Sequence, residues 1–160
     1  MLERLAENGF EVLLMPGAAL LPLYPDPGCR PMDDIDILVK PGELPEVRTA
    51  LQAQGFLSPP RYEDLFSRGR VVLDLHADLL NCSRISARRH AGWMEVGEIW
   101  QGGRSTVVEG VALATMCPED MILYTSVHAL RHSFRRFTWF IDLYFLLQQK
   151  IGWDVLADKA

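Results

Sequence analysis

Cysteine is scarce in this 160-residue sequence, and long apolar segments are missing. The three cysteines, Cys29, Cys82 and Cys117, are odd in number and widely spaced, so they match neither a disulfide framework nor a zinc-binding pattern. This usage favours a reducing compartment, and we expect a cytoplasmic protein. The most apolar segment, residues 137–147, is about half as long as a membrane-spanning helix and contains Asp142. We therefore expect no membrane partner.

Positive charge is also in deficit, with 16 lysine and arginine residues against 21 aspartate and glutamate residues and a net charge of -5. A general basic surface for nonspecific binding of duplex DNA is therefore not expected. The amino-terminal residues MLERLAENGF lack the basic segment and apolar core of a signal peptide, so none is expected. The composition, 49% hydrophobic and 23% charged, is typical of a globular domain.

Apolar runs separated by glycine and proline predict a mixed α/β arrangement in the first part of the chain. The predicted elements are a helix (1–8), a strand (10–15), a short helix (18–24), a strand (34–39), a helix (43–54), a hairpin (61–66 and 70–76, turning at Ser67-Arg68-Gly69) and a second hairpin (105–115, turning at Glu109-Gly110). Residues 79–103 show no clear pattern.

The pattern becomes helical near residue 116. Pro118 suits the first position of a helix, and the acidic Glu119 and Asp120 are favourable in its first turn. The predicted helices cover residues 118–132, 137–149 and 153–160. We therefore expect an α/β core at residues 1–115 followed by a C-terminal helical segment at 116–160. The last predicted helix is cut by the chain end, so this segment is expected to be truncated or packed on the core.

Two aspartates at alternate positions of one predicted strand are the most informative residues. Residues i and i+2 of a strand point to the same face, so Asp34 and Asp36 project together while Ile35 and Ile37 point to the opposite side. Two ionised carboxylates this close repel each other, and a bound cation removes that cost. Mg²⁺ suits such oxygen ligands, because it binds through a few carboxylates together with substrate phosphates. A solvated strand face without a ligand is the alternative.

A second predicted strand carries Asp74, and by alternation His76 and Asp78 share its face. If this strand lies beside the first, Asp74 joins Asp34 and Asp36. Three carboxylates around two metal ions would serve an in-line displacement at phosphorus. Asp78 is the rival for the place of the third carboxylate.

The Gly17-Ala18 turn follows a predicted strand and opens a short helix, where backbone N–H groups could hold a phosphate. A strand, a glycine turn, a helix and an Asp-x-Asp strand resemble the nucleotidyltransferase superfamily, which is DNA polymerase β-like. The chain more closely resembles a bacterial group known only as nucleotidyltransferase family proteins. The matching segments are PGAALLPLYPDPGCRPMDDIDILV, Gly55-Phe56, VLDLH (72–76), PEDMIL (118–123) with His128 and His132, and FIDL (140–143).

The resemblance implies an α+β fold, in which a small mixed β-sheet is flanked by helices and followed by a C-terminal helical segment. It also implies Mg²⁺-dependent transfer of a nucleoside monophosphate from an NTP to an acceptor hydroxyl. By the same resemblance, Asp34 and Asp36 bind the metal, and Asp74 is the third carboxylate and able to act as general base. Gly17 and Ala18 would lie at the phosphates. The base of the nucleotide and the acceptor, whether small molecule, protein or RNA, are not indicated.

Two departures from the family pattern lie at the glycine turn. Pro16 occupies a position where the family often has lysine, and Ala18 one where the superfamily often has serine. Proline removes both a positive charge and a backbone donor. Arg30 is then the best candidate for binding the phosphates, ahead of Lys40. These departures support an alternative, a catalytically degenerate module of the same fold that binds a nucleotide or a partner. We expect such a partner to be a second copy of this chain or a helical protein.

Further polar residues lie in the helical segment and before it. Asp142, within an apolar run, requires a partner, expected from His128, His132, Arg131 or Arg135. The two histidines, spaced i and i+4, are interpreted as packing residues, with a role near the nucleotide or acceptor as the alternative. Two clusters of basic residues, 84–90 and 131–136, are interpreted as solvated surface. The alternative is that they bind the triphosphate or an anionic acceptor.

Overall fold

The computed structural model of the chain describes residues 1–79, 94–108 and 110–160. Its six strands form one mixed sheet in the order β3-β4-β2-β1-β6-β5. The strands are β1 (Val12–Leu14), β2 (Ile35–Val39), β3 (Leu65–Arg68), β4 (Val71–His76), β5 (Arg104–Val108) and β6 (Val111–Thr115). Cys82 and the predicted basic cluster at 84–90 lie outside the described residues, as does Glu109.

The centre of the sheet is formed by β2 and β1, which are antiparallel to each other. On the outer sides, β4 runs parallel to β2 and β6 runs parallel to β1. Leu13, Ile37, Leu38 and Val39 of these central strands have no solvent exposure. The sheet is thus apolar at its centre, and the polar side chains of β2 and β4 lie towards one end.

In the described part of the chain, six α-helices accompany the sheet: α1 (Leu2–Glu7), α2 (Leu44–Ala53), α3 (Val96–Gly102), α4 (Pro118–Arg131), α5 (Thr138–Leu147) and α6 (Trp153–Lys159). Short 3₁₀ helices cover Ala18–Leu23, Pro27–Cys29 and Pro41–Glu43. None of the helices in the described residues is long and apolar enough to cross a membrane. The predicted fold, a small mixed sheet flanked by helices with a helical segment at the C-terminal end, is confirmed. The boundary at residue 115 stays a prediction.

The first hairpin differs from its prediction in the position of its turn. Tyr62 and Leu65 donate backbone hydrogen bonds to Pro59 and Tyr62, so a turn occupies the start of the predicted first strand. Arg68 then pairs with Val71, which leaves Gly69 and Arg70 as a two-residue turn. Gly69 has a φ of 63°. A left-handed glycine in a two-residue turn matches the twist of the two strands, so the strands continue one residue beyond Ser67.

Candidate active site

A cavity of about 470 Å³ opens between the sheet and the helices α4 and α5. Asp36 of β2 and Asp74 of β4 line it from the sheet. His128 of α4 and Trp139 of α5 line it from the opposite side, and Gly17 lines it from the turn after β1. The cavity therefore brings together segments that are far apart in the sequence.

The three predicted carboxylates meet in this cavity because β2 and β4 are neighbours. Asp36 and Asp74 are direct partners in the parallel register, so both side chains lie on one face. Asp34 immediately precedes β2 and lines the same cavity. Asp78 is not among the described residues that line the cavity. The geometry thus favours Asp74 over Asp78 as the third carboxylate, and the roles of all three stay predictions.

His76 adds an imidazole to the carboxylates. Its Nε2 lies 2.7 Å from Asp36 Oδ1 and 3.5 Å from Asp74 Oδ2, and its side chain is 6% exposed. One potential ligand atom from each of these three residues lies within 4.8 Å of the other two. The sequence analysis did not place His76 in the site. Its alternation with Asp74 in the segment VLDLH was the available signal.

The carboxylates of Asp34, Asp36 and Asp74 lie close enough to repel one another. Burial raises the pKa of Asp34, and the charges of Asp36 and Asp74 raise it further. A divalent cation between these groups would remove the repulsion. A set of aspartate oxygens fits Mg²⁺, which prefers hard oxygen ligands. The residues present therefore fit the metal that the fold implies, while the nearby imidazole nitrogen is also compatible with transition metals.

The two residues of the predicted phosphate turn, Gly17 and Ala18, differ in their position relative to the cavity. Gly17 has a φ of 130°, a conformation that side-chain-bearing residues rarely adopt, and its backbone lines the cavity together with Pro16. A Cβ atom at Gly17 would lie 3.8 Å from Arg30 Nη1. Ala18 begins the following 3₁₀ helix, is 5% exposed and is not among the described residues that line the cavity. Gly17 is thus the member of the pair that a ligand could approach.

Arg30 forms a buried pair with Asp142. Its Nε and Nη2 donate to the two carboxylate oxygens at 2.8 Å each, and the Tyr24 hydroxyl donates to Oδ1 at 2.6 Å. Burial raises the pKa of Tyr24 well above its ordinary value, and the hydrogen bond to Asp142 adds to this, so the phenol stays a donor. The predicted partners of Asp142, the histidines and arginines on the preceding helix and turn, were wrong. The planar guanidinium of Arg30 offers a two-bond fit to a carboxylate.

Aromatic rings line the cavity along α4 and α5. The His128 ring lies 4.7 Å from the His132 ring and 5.3 Å from the Trp139 ring, measured between centroids. Burial, together with the neighbouring His132, lowers the pKa of His128 to about 4, so the imidazole is neutral near pH 7. A neutral His128 ring, held against His132 and edge-on to Trp139, is able to pack against a flat ligand.

Three arginines lie at the edge of the cavity. Arg131 ends α4, and Arg135 and Arg136 follow in the turn to α5; all three line the cavity. Arg136 Nη2 lies 2.5 Å from Asp33 Oδ2, and both side chains are more than half exposed. Asp33, which precedes Asp34 in the chain, therefore contacts the helical side of the cavity.

The whole chain, residues 1–160, matches the model of a family described as uncharacterised nucleotidyltransferases. No curated protein matches the sequence. Among solved structures, the antibiotic-resistance factor ANT(2'')-Ia in solution is 16% identical, with a TM-score of 0.67, over 99% of this chain and 84% of that one. Its crystal structure with adenylyl-2''-tobramycin is 19% identical, with a TM-score of 0.63, over 99% of this chain and 89% of that one.

A third similar structure is an antigenic nucleotidyltransferase-like protein from Paracoccidioides brasiliensis. It is 15% identical, with a TM-score of 0.60, over 90% of this chain and 70% of that one. At these identities the structural likeness shows the fold, and the family match shows the ancestry.

Proposed function

The chain belongs to the uncharacterised nucleotidyltransferase family, and from this premise we propose that it is a Mg²⁺-dependent enzyme. It transfers a nucleoside monophosphate from an NTP to a hydroxyl group of an acceptor. The observation that carries the proposal is the direct pairing of Asp36 with Asp74 across β2 and β4, with Asp34 immediately before β2. A general structural role does not require three acidic side chains at one cavity.

Asp34, Asp36 and Asp74 would hold the metal, and two ions are expected from their number. Mg²⁺ bound there would neutralise the phosphates and stabilise charge on the attacking and leaving oxygens. In the tautomer with the proton on Nε2, His76 donates a hydrogen bond to Asp36 Oδ1 and so fixes the orientation of this carboxylate.

In the proposed reaction, the acceptor oxygen attacks the α-phosphorus of the NTP. The bond from that phosphorus to the bridging oxygen of the β-phosphate breaks, and pyrophosphate leaves. Asp74 accepts the proton of the hydroxyl, since its carboxylate lines the cavity and is 23% exposed. A positioned carboxylate of this kind contributes a factor of about 10² to 10⁴ to a rate.

The nucleotide is proposed to lie along the turn after β1. Gly17 has no side chain there, so a phosphate can approach the backbone, with Ala18 next in the chain. Arg30 Nη1 lies close to Gly17, while the other donors of that guanidinium bind Asp142. We propose that Arg30 contacts the nucleotide only through this one edge.

A small molecule is the proposed acceptor. The similar ANT(2'')-Ia was crystallised with adenylyl-2''-tobramycin, in which the adenylyl group is joined to a small molecule. A cavity of about 470 Å³ has the size of sites that hold such ligands. Tobramycin is therefore one acceptor to test, beside sugars and nucleosides.

Calorimetric titration tests the nucleotide part of the proposal. ATP, GTP, CTP and UTP are titrated into the protein with and without Mg²⁺. We expect Mg²⁺-dependent binding that Asp34→Asn/Asp36→Asn abolishes, and Asp154→Asn, an exposed aspartate of α6, serves as the matched control. Binding that survives in the double variant contradicts the assignment of the carboxylates.

The second candidate is a degenerate module that binds a nucleotide without transfer. Pro16 favours it, because this cavity-lining residue supplies neither charge nor a backbone donor. Release of pyrophosphate during incubation with an NTP and a panel of acceptors separates the two candidates. Binding without any product supports the degenerate module.

A further inference from the structure

The phosphate side of the cavity is poor in available cations. Pro16, Gly17 and Ala18 carry no charge and no hydroxyl group. Arg30, the predicted phosphate ligand, is 9% exposed, and its Nε and Nη2 donate hydrogen bonds to Asp142. Together with the three aspartates, an NTP brings about seven negative charges to the site, of which two Mg²⁺ ions neutralise four. Additional cations are therefore required, and in the described part of the cavity they lie on the opposite side.

The three cavity-lining arginines Arg131, Arg135 and Arg136 are here termed the arginine rim. Their position depends on how α4 ends. The backbone N–H of Phe134 donates to Ala129 and that of Ser133 donates to Leu130, which is the hydrogen-bond pattern of a Schellman helix end. This turn reverses the chain and brings Arg135 and Arg136 back to the cavity.

The turn adopts an unfavourable backbone conformation to do so. Ser133 and Phe134 have φ angles of 54° and 52°, and within the described residues they are the two non-glycine residues with positive φ. Such conformations cost free energy in L-residues and cluster at functional sites. Two such residues immediately before Arg135 indicate that the chain keeps this costly turn because it brings the arginines to the cavity.

The arginines of the rim differ in their protein partners. Arg136 is paired with Asp33 on the far side of the cavity mouth. No described residue forms an ion pair with the exposed Arg135 guanidinium, although Arg135 lines a cavity that contains several aspartates. An arginine that lines a cavity and forms no ion pair with a protein carboxylate is well suited to bind an anionic ligand.

We propose that the arginine rim binds the triphosphate of the NTP, with Arg135 as the principal ligand of its terminal phosphates. The proposal rests on the proposed function and deepens it. Arginines on the helical side replace the lysine and serine that the glycine turn lacks. After transfer, the same guanidinium groups retain the pyrophosphate until it leaves. A guanidinium binds two phosphate oxygens at once, which fixes the direction of the chain of phosphates.

Titration of nucleotides with different numbers of phosphates tests the proposal. The Mg²⁺ complexes of the four NTPs, the corresponding monophosphates and inorganic pyrophosphate are titrated into wild type, Arg135→Gln, Arg131→Gln and Arg135→Lys. We expect Arg135→Gln to weaken binding of triphosphate and pyrophosphate by about tenfold and that of the monophosphate by much less. Arg135→Lys should keep more of the affinity. Arg70→Gln, in the exposed turn between β3 and β4, is the control for the change in net charge.

The outcomes separate this proposal from the one on which it rests. Wild type that binds no nucleotide overturns the proposed function and, with it, the role of the rim. Wild type that binds NTPs while Arg135→Gln and Arg131→Gln bind them equally well overturns the rim alone. Transfer that falls in these variants at unchanged NTP affinity also overturns it, because the arginines then serve the acceptor. Circular dichroism spectra and melting temperatures of each variant exclude loss of the fold as the cause.

Discussion

Arg30 and Asp142 form a two-bond ion pair across 112 residues of sequence, and both side chains are buried. The pair joins the loop before β2 to α5, and the Tyr24 hydroxyl completes it. Because Arg30 immediately precedes the segment that carries Asp34 and Asp36, this contact connects the helical side of the cavity to the carboxylates. It also leaves fewer donors of the Arg30 guanidinium available to bind phosphate.

Asp142→Asn is predicted to lower the free energy of unfolding by about 3 kcal/mol, because it leaves the buried Arg30 charge without its counter-ion. Arg30→Met/Asp142→Leu should be less destabilised than Asp142→Asn, since neither charge remains. Urea denaturation measures both. Lys40→Gln, which breaks an exposed pair with Glu11, should unfold at nearly the wild-type urea concentration. A double variant less stable than Asp142→Asn would contradict this account.

Local sequence patterns predicted the strands, except for the start and the turn of the first hairpin, and indicated the three carboxylates, whose roles stay predictions. Alternation placed Asp34 and Asp36 on one face of β2, and the same rule placed Asp74 and His76 on one face of β4. That β2 and β4 are neighbours was a condition of the prediction, and the resemblance to a known family implied only the role of Asp74 as the third carboxylate; the structure pairs the two strands. The contact between His76 Nε2 and Asp36 Oδ1 did not follow, since it depends on how two strands align that contribute residues 40 positions apart.

Contacts between distant segments were beyond the sequence analysis. Asp142 was paired with residues close to it in the sequence, whereas its partner Arg30 comes from a loop that only the packing of α5 brings near. The end of α4 was predicted to within one residue. The left-handed turn that follows it was not, because a left-handed helix end usually shows a glycine and this one has Ser133. The sequence therefore revealed the candidate metal ligands more completely than the side of the cavity that faces them.

Asp74→Asn is predicted to reduce the rate of nucleotidyl transfer by a factor of at least about 10², because the amide cannot take up the proton of the attacking hydroxyl group. The measurement is pyrophosphate release at saturating Mg²⁺ and NTP. Asp78→Asn is the comparison, and it should retain most of the wild-type rate, since Asp78 does not line the described cavity. A large loss in Asp78→Asn with activity retained in Asp74→Asn would reverse the assignment of the third carboxylate.

Ser133→Gly is predicted to raise the free energy of unfolding by about 0.5 to 1 kcal/mol. The left-handed conformation at φ 54° costs serine about 1–2 kcal/mol, and the greater flexibility of glycine in the unfolded chain offsets part of the gain. Thermal or urea unfolding measures the change. Ser126→Gly, the same substitution within α4, should instead destabilise the protein. Equal effects of the two substitutions would show that the turn is not strained at Ser133.

Stability is predicted to fall between about pH 6.5 and pH 4 because of His128. Burial, together with the nearby His132, Arg131 and His76, lowers the pKa of this imidazole in the folded state to about 4, against 6.5 in the unfolded chain, while Asp36 opposes this shift. Above pH 6.5 the group is neutral in both states and has no effect. As the pH falls through this window, the unfolded chain takes up a proton that the folded chain does not, so unfolding becomes more favourable.

The free energy of unfolding, measured by urea at several pH values for wild type and His128→Phe, isolates this contribution. Carboxylates that titrate in the same window affect both proteins, so the difference between the two curves reports His128. We expect this difference to change by about 2 kcal/mol across the window, which allows for the partial exposure of the ring. His132→Gln, at an exposed position on the same helix end, should retain most of the pH dependence. Parallel curves for wild type and His128→Phe would show that the imidazole is protonated as easily in the folded protein as in the unfolded chain.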